Sequence, residues 1–337
     1  MQPSDILQVR HSLIAADALI DVVGAAYDLG APITCRLLSA SGNDQYLLTS
    51  ATTTSVLRVY HHDHYGLTSA AHYQFELDWL THLHQQHAPV SYPLPQRNGA
   101  LLGALQAPEG IRYYALFSFA AGSVRYPLTT AQCQILGTAL ARIHQASNRF
   151  TTAHPRHHFD LAFLLDDAIE RIRSCLAQSD DAIAVIETAA DHVRAQVADL
   201  IPTVDTYGVI SGDFHGFNNH FTATNDVTLF DFEVCGYGWR AYDLATFLWN
   251  ARSNALPNEL WEAVVRGYQT IRPLTPAEHA AMPAFIYARQ IWLMGVHTRA
   301  RERFGDAWLS DFYWASKLQT LKLWLAEDRV QGSHLCG

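Results

Sequence analysis

The sequence predicts an α+β fold in two lobes, a small β-rich N-terminal lobe and a larger, mainly helical C-terminal lobe. Three observations predict it. Short runs of strand-like composition, punctuated by turn residues, fill most of residues 33–119. Apolar residues recur at helical spacing through most of residues 129–326. Between the helical stretches, two short apolar runs, 207–210 and 227–230, each lead into a loop bearing carboxylates. The lobes are expected to span residues 1–119 and 120–337.

Residues 11–29 carry Leu13, Ile14, Ala18, Ile20, Val22 and Ala26 at helical spacing, with Gly30 as the stop. Strand-like runs come next at 33–40, 45–50 and 55–60, the first two joined by the turn Ser41-Gly42-Asn43-Asp44. A helix over 68–86 buries Ala71, Phe75, Trp79, Leu80 and Leu83, and Glu76 lies at the edge of that stripe. Pro89, Pro93 and Pro95 mark a rigid connection to two further strands, 100–106 and 112–119. Ala120-Ala121-Gly122 breaks the strand pattern. Residues 129–147 then read as a helix with Ile135, Leu136, Ala139, Leu140 and Ile143 on one face. Residues 163–200 are largely helical with a break near Ser179-Asp180, and after the acidic strand pair the chain is helical to about residue 326.

The acidic loops carry the chemistry. Asp213 and Asn218 share the loop Ser211-Gly212-Asp213-Phe214-His215-Gly216-Phe217-Asn218, and Asp231 opens Asp231-Phe232-Glu233 after the next apolar run. That layout suits phosphoryl transfer: one carboxylate orients and deprotonates a hydroxyl, while an amide and a second carboxylate hold Mg²⁺ against nucleotide phosphates. Asp213 is the expected base, and Asn218 and Asp231 are the expected metal ligands.

The pattern G-D-x-H-x-x-N, then D-F-[DE], then Tyr242-Asp243-Leu244-Ala245, resembles the aminoglycoside phosphotransferase and choline kinase superfamily, distant relatives of the protein kinases. In layout the chain is similar to bacterial stress-response kinase A and the homoserine kinase type II-like phosphotransferases. It departs from the pattern at Ser211, where the family has His, and at Gly216-Phe217, where it has Pro-Gly. The resemblance implies a protein-kinase-like fold, ATP and Mg²⁺ as cofactors, and a hydroxyl acceptor such as an amino alcohol, an amino acid, a sugar or an aminoglycoside-like antibiotic. It places Ser41 and Gly42 in the nucleotide-covering turn. Arg58 stands where kinases carry a phosphate-gripping Lys, with Glu76 as its partner; an edge-strand surface arginine is the alternative. It also puts a hinge at 120–122, with adenine read by main-chain groups of Phe117, Ser118 and Phe119, and makes Asp243 a brace for the catalytic loop. Glu233 is assigned to a second metal or the substrate. Trp239, Trp249, Trp292, His297 and Trp314 are candidates for substrate selection, an aromatic box for an ammonium group, although each tryptophan also suits core packing. A Ser/Thr protein kinase and a silent nucleotide-binding regulator remain the competing classes; only about eight residues separate Glu233 from Tyr242, which favours small substrates.

Composition agrees with a compact globular protein: 49% hydrophobic and 16% charged residues, with a net charge of −9 that argues against a nucleic-acid partner. No signal peptide or membrane span is expected. The five scattered cysteines read as reduced thiols in a cytoplasmic protein, acting as a monomer or homodimer. Eighteen histidines are many; His61-His62-Asp63-His64 and His154, His157 and His158 read as solvated surface groups in preference to a metal site.

Overall fold

The computed structural model describes residues 7–40, 42–61, 65–176 and 179–335. In chain order its elements begin with helix α1 (Ala16–Ala26), strands β1 (Thr34–Ser39), β2 (Asp44–Thr49) and β3 (Thr54–Val59), and helix α2 (Ala70–Gln85). Strands β4 (Pro93–Leu94), β5 (Gly103–Ala107) and β6 (Gly110–Ser118) come next, then helix α3 (Thr130–Ser147), strand β7 (His158–Phe159), a π-helical turn at Ala162–Asp166, and helices α4 (Asp167–Cys175) and α5 (Asp180–Val197). Strands β8 (Tyr207–Ile210), β9 (Asn219–Phe221), β10 (Val227–Leu229) and β11 (Gly236–Trp239) precede helices α6 (Arg240–Ser253), α7 (Asn258–Gln269), α8 (Pro276–Phe304) and α9 (Asp311–Leu335).

The chain divides into two compact units. The first is Met1–Arg125 with Arg149–Arg156 and Phe217–Glu233; the second is Tyr126–Asn148, His157–Gly216 and Val234–Gly337. Packing explains why two later segments join the first unit. On α2, Trp79 meets Phe232 edge-on at 5.5 Å and Phe75 meets Phe150 at 5.7 Å. Val90 and Leu229 form a parallel bridge, and Ser123 and Phe221 an antiparallel one.

In the first unit an antiparallel sheet runs β1-β2-β3-β6-β4, with β5 also on β6. The register sets Arg58 between Gln45 on β2 and Ala115 on β6, so its strand is central and not an edge. Leu19 and Val23 of α1 cover one face, against Tyr46, Leu48, Leu57, Val59, Tyr114 and Leu116. Burying each such side chain contributes about 1.5–3 kcal/mol.

Helix α1 is shorter than the 11–29 that apolar spacing predicts. The main chain before it is committed to the sheet. Ser12 donates its N–H and hydroxyl to Glu109 (3.1 and 2.7 Å), its carbonyl accepts from Arg112 (2.9 Å), and the Ile14 carbonyl accepts from the Tyr46 hydroxyl (2.7 Å). Those groups cannot also close helical turns.

In the second unit α3 starts at a capping box in which Thr129 and Gln132 satisfy each other's backbone N–H. Helices α3 and α7 cross closely because both contribute glycine: a Cβ on Gly137 would lie 1.9 Å from the Val264 carbonyl oxygen, and one on Gly267 would lie 2.0 Å from that of Gln134. A small sheet of order β7-β11-β8 leads, from the end of β8, into the loop that holds Asp213. Among the described residues no helix is long and apolar enough to cross a membrane, and Cys35, Cys133, Cys175 and Cys235 are free thiols.

Candidate active site

The first unit gathers a charged cluster around Arg58. This side chain is buried, yet its guanidinium meets Glu76 of α2 at 2.8 Å and Asp231 at 3.1 Å, and it lies 4.8 Å from the Phe117 ring centroid. Burial works against the charge, but Glu76 and then Asp231 hold the guanidinium above its usual range. Burial and then the Glu76 carboxylate likewise push the Tyr60 hydroxyl well up. The Tyr60 hydroxyl reaches Glu76 at 3.4 Å. Asp231 takes a left-handed backbone conformation (φ 65°) two residues after β10, and its side chain is 32% exposed. Arg58 occupies one of its oxygens, so the other is available to a hard cation. Asn218 is half-buried ahead of β9, and its carbonyl accepts the Phe230 N–H at 3.1 Å.

Glu233 is buried. It accepts a hydrogen bond from the Asn43 side chain, while its carbonyl accepts one from Arg156. Asn43 in turn accepts the His61 N–H at 2.8 Å, so the turn holding Gly42 is tied to the D-F-E motif. Ser41 lies outside the described residues, as do His62, Asp63 and His64. His61 is only 3% exposed, which corrects its reading as a solvated surface residue; it comes just after a central strand and points toward His11 and Asp44. Of the three residues expected to read adenine, Phe117 is buried. Ser118 spends its N–H on Tyr92 and its carbonyl on the Ser91 hydroxyl (2.8 and 2.7 Å). Phe119 is 41% exposed just past the end of β6.

The second unit gathers a cluster around Asp213. Its loop is held from below. Asp243, at the start of α6, accepts the N–H groups of Ser211 and Gly212, each at 2.7 Å, and meets His144 of α3 at 3.0 Å. His144 also bonds the Tyr268 hydroxyl at 2.7 Å. Burial pushes the Asp243 carboxyl up to about 7 and, with Arg240 and Arg272, drives His144 well below its usual range, so the imidazole is neutral. Gly212 is required here: its φ is 74°, and a Cβ would lie 2.4 Å from the Phe159 ring.

Asp213 itself is paired with Arg289 of α8, which also donates to the Gly212 carbonyl at 3.0 Å; His215 approaches the other carboxylate oxygen at 3.5 Å. Burial raises the Asp213 carboxyl, but Arg289 and then His215 outweigh it and hold the group well below the usual carboxylate range. It is ionised at every working pH.

The aromatic candidates separate. Trp292 and Trp249 face the Arg289 guanidinium, with ring centroids at 4.9 and 5.6 Å, and Trp249 donates to Gln290 at 2.9 Å. Trp239 packs against Tyr207 at 5.2 Å. His297 bonds the Tyr313 hydroxyl at 2.7 Å, near Trp308, and Trp314 is buried beside Tyr313. Sequence reasoning missed Arg289. The usable signal is one charged residue, next to Gln290, inside the otherwise apolar run of α8 from Ala280 to Met294. It also missed Asn43, which reads as an ordinary turn residue, and His144, which shares the buried stripe of α3.

Residues 34–283 match the model of the phosphotransferase enzyme family, APH. An uncharacterized protein of Deinococcus radiodurans is 36% identical over 318 residues, 93% of this chain and 91% of its own. A homoserine kinase of Paraburkholderia phytofirmans is 28% identical over 270 residues, 75% of this chain and 76% of its own. Among solved structures, a microcompartment-associated aminopropanol kinase superposes with a TM-score of 0.75 at 26% identity, over 93% of this chain and 98% of that one. A spectinomycin phosphotransferase solved with ADP and spectinomycin gives a TM-score of 0.64 at 15% identity, over 94% and 99%, a likeness of fold. The chain belongs to the phosphotransferase enzyme family: it is a kinase with a two-lobed, protein-kinase-like α+β fold.

Proposed function

We propose that the enzyme transfers the γ-phosphoryl group of ATP to a hydroxyl of a small molecule, with Mg²⁺ as cofactor and Asp213 as the base. One observation carries the reading. Arg58, buried on a central strand, bonds Glu76 on one side and the carboxylate of the D-F-E motif on the other. This is the arrangement expected where a cation grips nucleotide phosphates beside a metal-binding carboxylate. Complexes of two related kinases support a nucleotide ligand: the spectinomycin enzyme holds ADP, and an amicoumacin kinase holds AMP-PNP and Ca²⁺.

In this reading residues 1–119 serve the nucleotide, and residues 120–337 supply the chemistry, the metal ligands and the acceptor site. Phe119, beyond the paired end of β6, offers its main chain to adenine. Asn218 and Asp231 hold Mg²⁺, which neutralises charge on the β- and γ-phosphates when bound. Glu233 ties the Gly42-Asn43 turn to the metal motif. Asp213 accepts a hydrogen bond from the acceptor hydroxyl, which takes the place of the loose His215 contact. The acceptor oxygen bonds the γ-phosphorus, the bond from that phosphorus to the β–γ bridging oxygen breaks, and ADP leaves. The hydroxyl proton passes late to Asp213 and then to water. The acceptor class is a hydroxyl-bearing amine, amino acid or sugar, in keeping with the names of the related kinases, and the enzyme works in the cytoplasm, where ATP is supplied.

The test is ADP release with a panel of amino alcohols, hydroxy amino acids, sugars and aminocyclitols, with and without Mg²⁺, and with Asp213→Asn as blank. Magnesium-dependent release with one class names the acceptor. Phosphate incorporation into protein alone, with no small-molecule turnover, overturns the small-molecule reading.

A further inference from the structure

We propose that His11, Asp44 and His61 form a binding site for a zinc-type divalent cation, distinct from the one assigned to Asn218 and Asp231. The three residues come from separate parts of the first unit: the segment before α1, the first residue of β2, and the second residue after β3. All three ligand atoms lie within 4.8 Å of one another. The Nε2 atoms of His61 and His11 stand 3.5 and 3.7 Å from Asp44 Oδ1. A tetrahedral ion with ligands at about 2.1 Å needs ligand–ligand spacings of about 3.4 Å.

The carboxylate is the strongest part of the case. Asp44 is fully buried, and its Oδ1 has no well-formed hydrogen bond among the described residues: the nearer imidazole, His61, stands at the 3.5 Å limit and His11 beyond it. Its other oxygen accepts from Arg112 at 2.8 Å. A buried carboxylate oxygen served only by so long a contact is costly, and a cation there removes the cost. The surroundings favour positive charge despite Arg112, since Glu109 lies 3.6 Å from that guanidinium and adds a second carboxylate. Glu109 also lies 3.9 Å from His11 Nδ1, placed to orient the ring once Nε2 binds metal. Two imidazoles and one carboxylate select zinc-type ions over Mg²⁺.

The rings of His11 and His61 are stacked at 3.5 Å. Ligation therefore requires one ring to turn, and His11, with 25% of its side chain exposed against 3% for His61, is the one nearer solvent. Three protein ligands leave the fourth position to water. The consequence is mechanical. His61 and Asp44 flank Asn43, which bonds the His61 N–H and the Glu233 carboxylate, so a cation would staple the segment before α1 to the turn holding Gly42 and Asn43.

The experiment uses untagged, full-length protein stripped with a chelator and then dialysed against Zn²⁺. Bound metal is counted, and Co²⁺ substitution is followed by visible absorption. The expected result is one equivalent of Zn²⁺, four-coordinate Co²⁺ bands, and a higher thermal midpoint with Zn²⁺. His11→Gln removes one ligand from a partly exposed position. It should bind Zn²⁺ about tenfold more weakly or worse, lose the Co²⁺ bands, and keep the metal-free thermal midpoint of the wild type. Asp231→Ala should retain the equivalent. Wild type that binds no Zn²⁺, or binds it no better than His11→Gln, overturns the site, as does loss of the equivalent in Asp231→Ala.

Discussion

Asp231 in the first unit and Asp213 in the second each come after a short strand, and each gives one carboxylate oxygen to a buried arginine. They differ in what holds the other side. Arg58 divides its charge between Asp231 and Glu76, and Asp231 keeps 32% of its side chain exposed on a left-handed backbone. Asp213 is gripped by Arg289 on one oxygen and approached by His215 on the other, and its loop is fixed by Asp243 through two backbone N–H groups. Exposure and a spare oxygen suit a ligand that shares its charge with a metal. Clamping and a low proton affinity suit a carboxylate whose task is to aim a hydroxyl.

The sharpest way to break this comparison is to neutralise each aspartate. Asp213→Asn should lower kcat by about 10²-fold or more while leaving nucleotide affinity near that of the wild type, since an orienting base acts in the transition state. Wild-type turnover in this variant would remove Asp213 from the mechanism. Asp231→Ala should fail in the other way: calorimetry should show ATP affinity in Mg²⁺ falling to the metal-free value. Equal magnesium-dependent binding in mutant and wild type would end the metal assignment.

A smaller effect tests the clamp. Without the guanidinium in Arg289→Met, burial dominates at Asp213 and its pKa rises, so the acid limb of the kcat profile should move to higher pH. The sign comes from the wild type: a depressed carboxylate stays ionised down to its folded pKa, and the stability it contributes is whole above the unfolded pKa and is lost as pH falls through the folded one. An unmoved acid limb would show that Arg289 only packs between Trp249 and Trp292.

The smallest effect concerns His297, further along α8 from Arg289. Burial, then Lys317 and Arg289, lowers His297 to about 4. The unfolded chain therefore binds the extra proton first, and stability should fall as pH drops from about 6.5 toward 4. His297→Phe should flatten that slope in thermal midpoints. An unchanged slope would place the titration elsewhere.

Much of the first unit was legible because its signals are local. The turn 41–44 between alternating runs fixes a hairpin, and Glu76 on the inner edge of an apolar helix stripe marks a carboxylate that needs a cation. The exceptions involve partners distant in sequence. Residues 11–15 have helical spacing but lie outside α1, because Glu109, Arg112 and Tyr46 take polar groups of Ser12 and Ile14. His61 reads as part of a polar histidine run, yet strand pairing carries it into the interior. Arg289 stands 76 residues from Asp213, and spacing cannot reveal a pairing made by folding.

Most elements, the order of the carboxylate motifs and the class of chemistry are written in the sequence, because these rest on short-range periodicity and on residue types held in adjacent loops. Which distant charges meet is set by folding: Arg58 with Asp231 across 173 residues, Asp213 with Arg289, and Asp44 with two imidazoles. An ion pair depends on distance and burial, and both are set by how the sheet and helices pack.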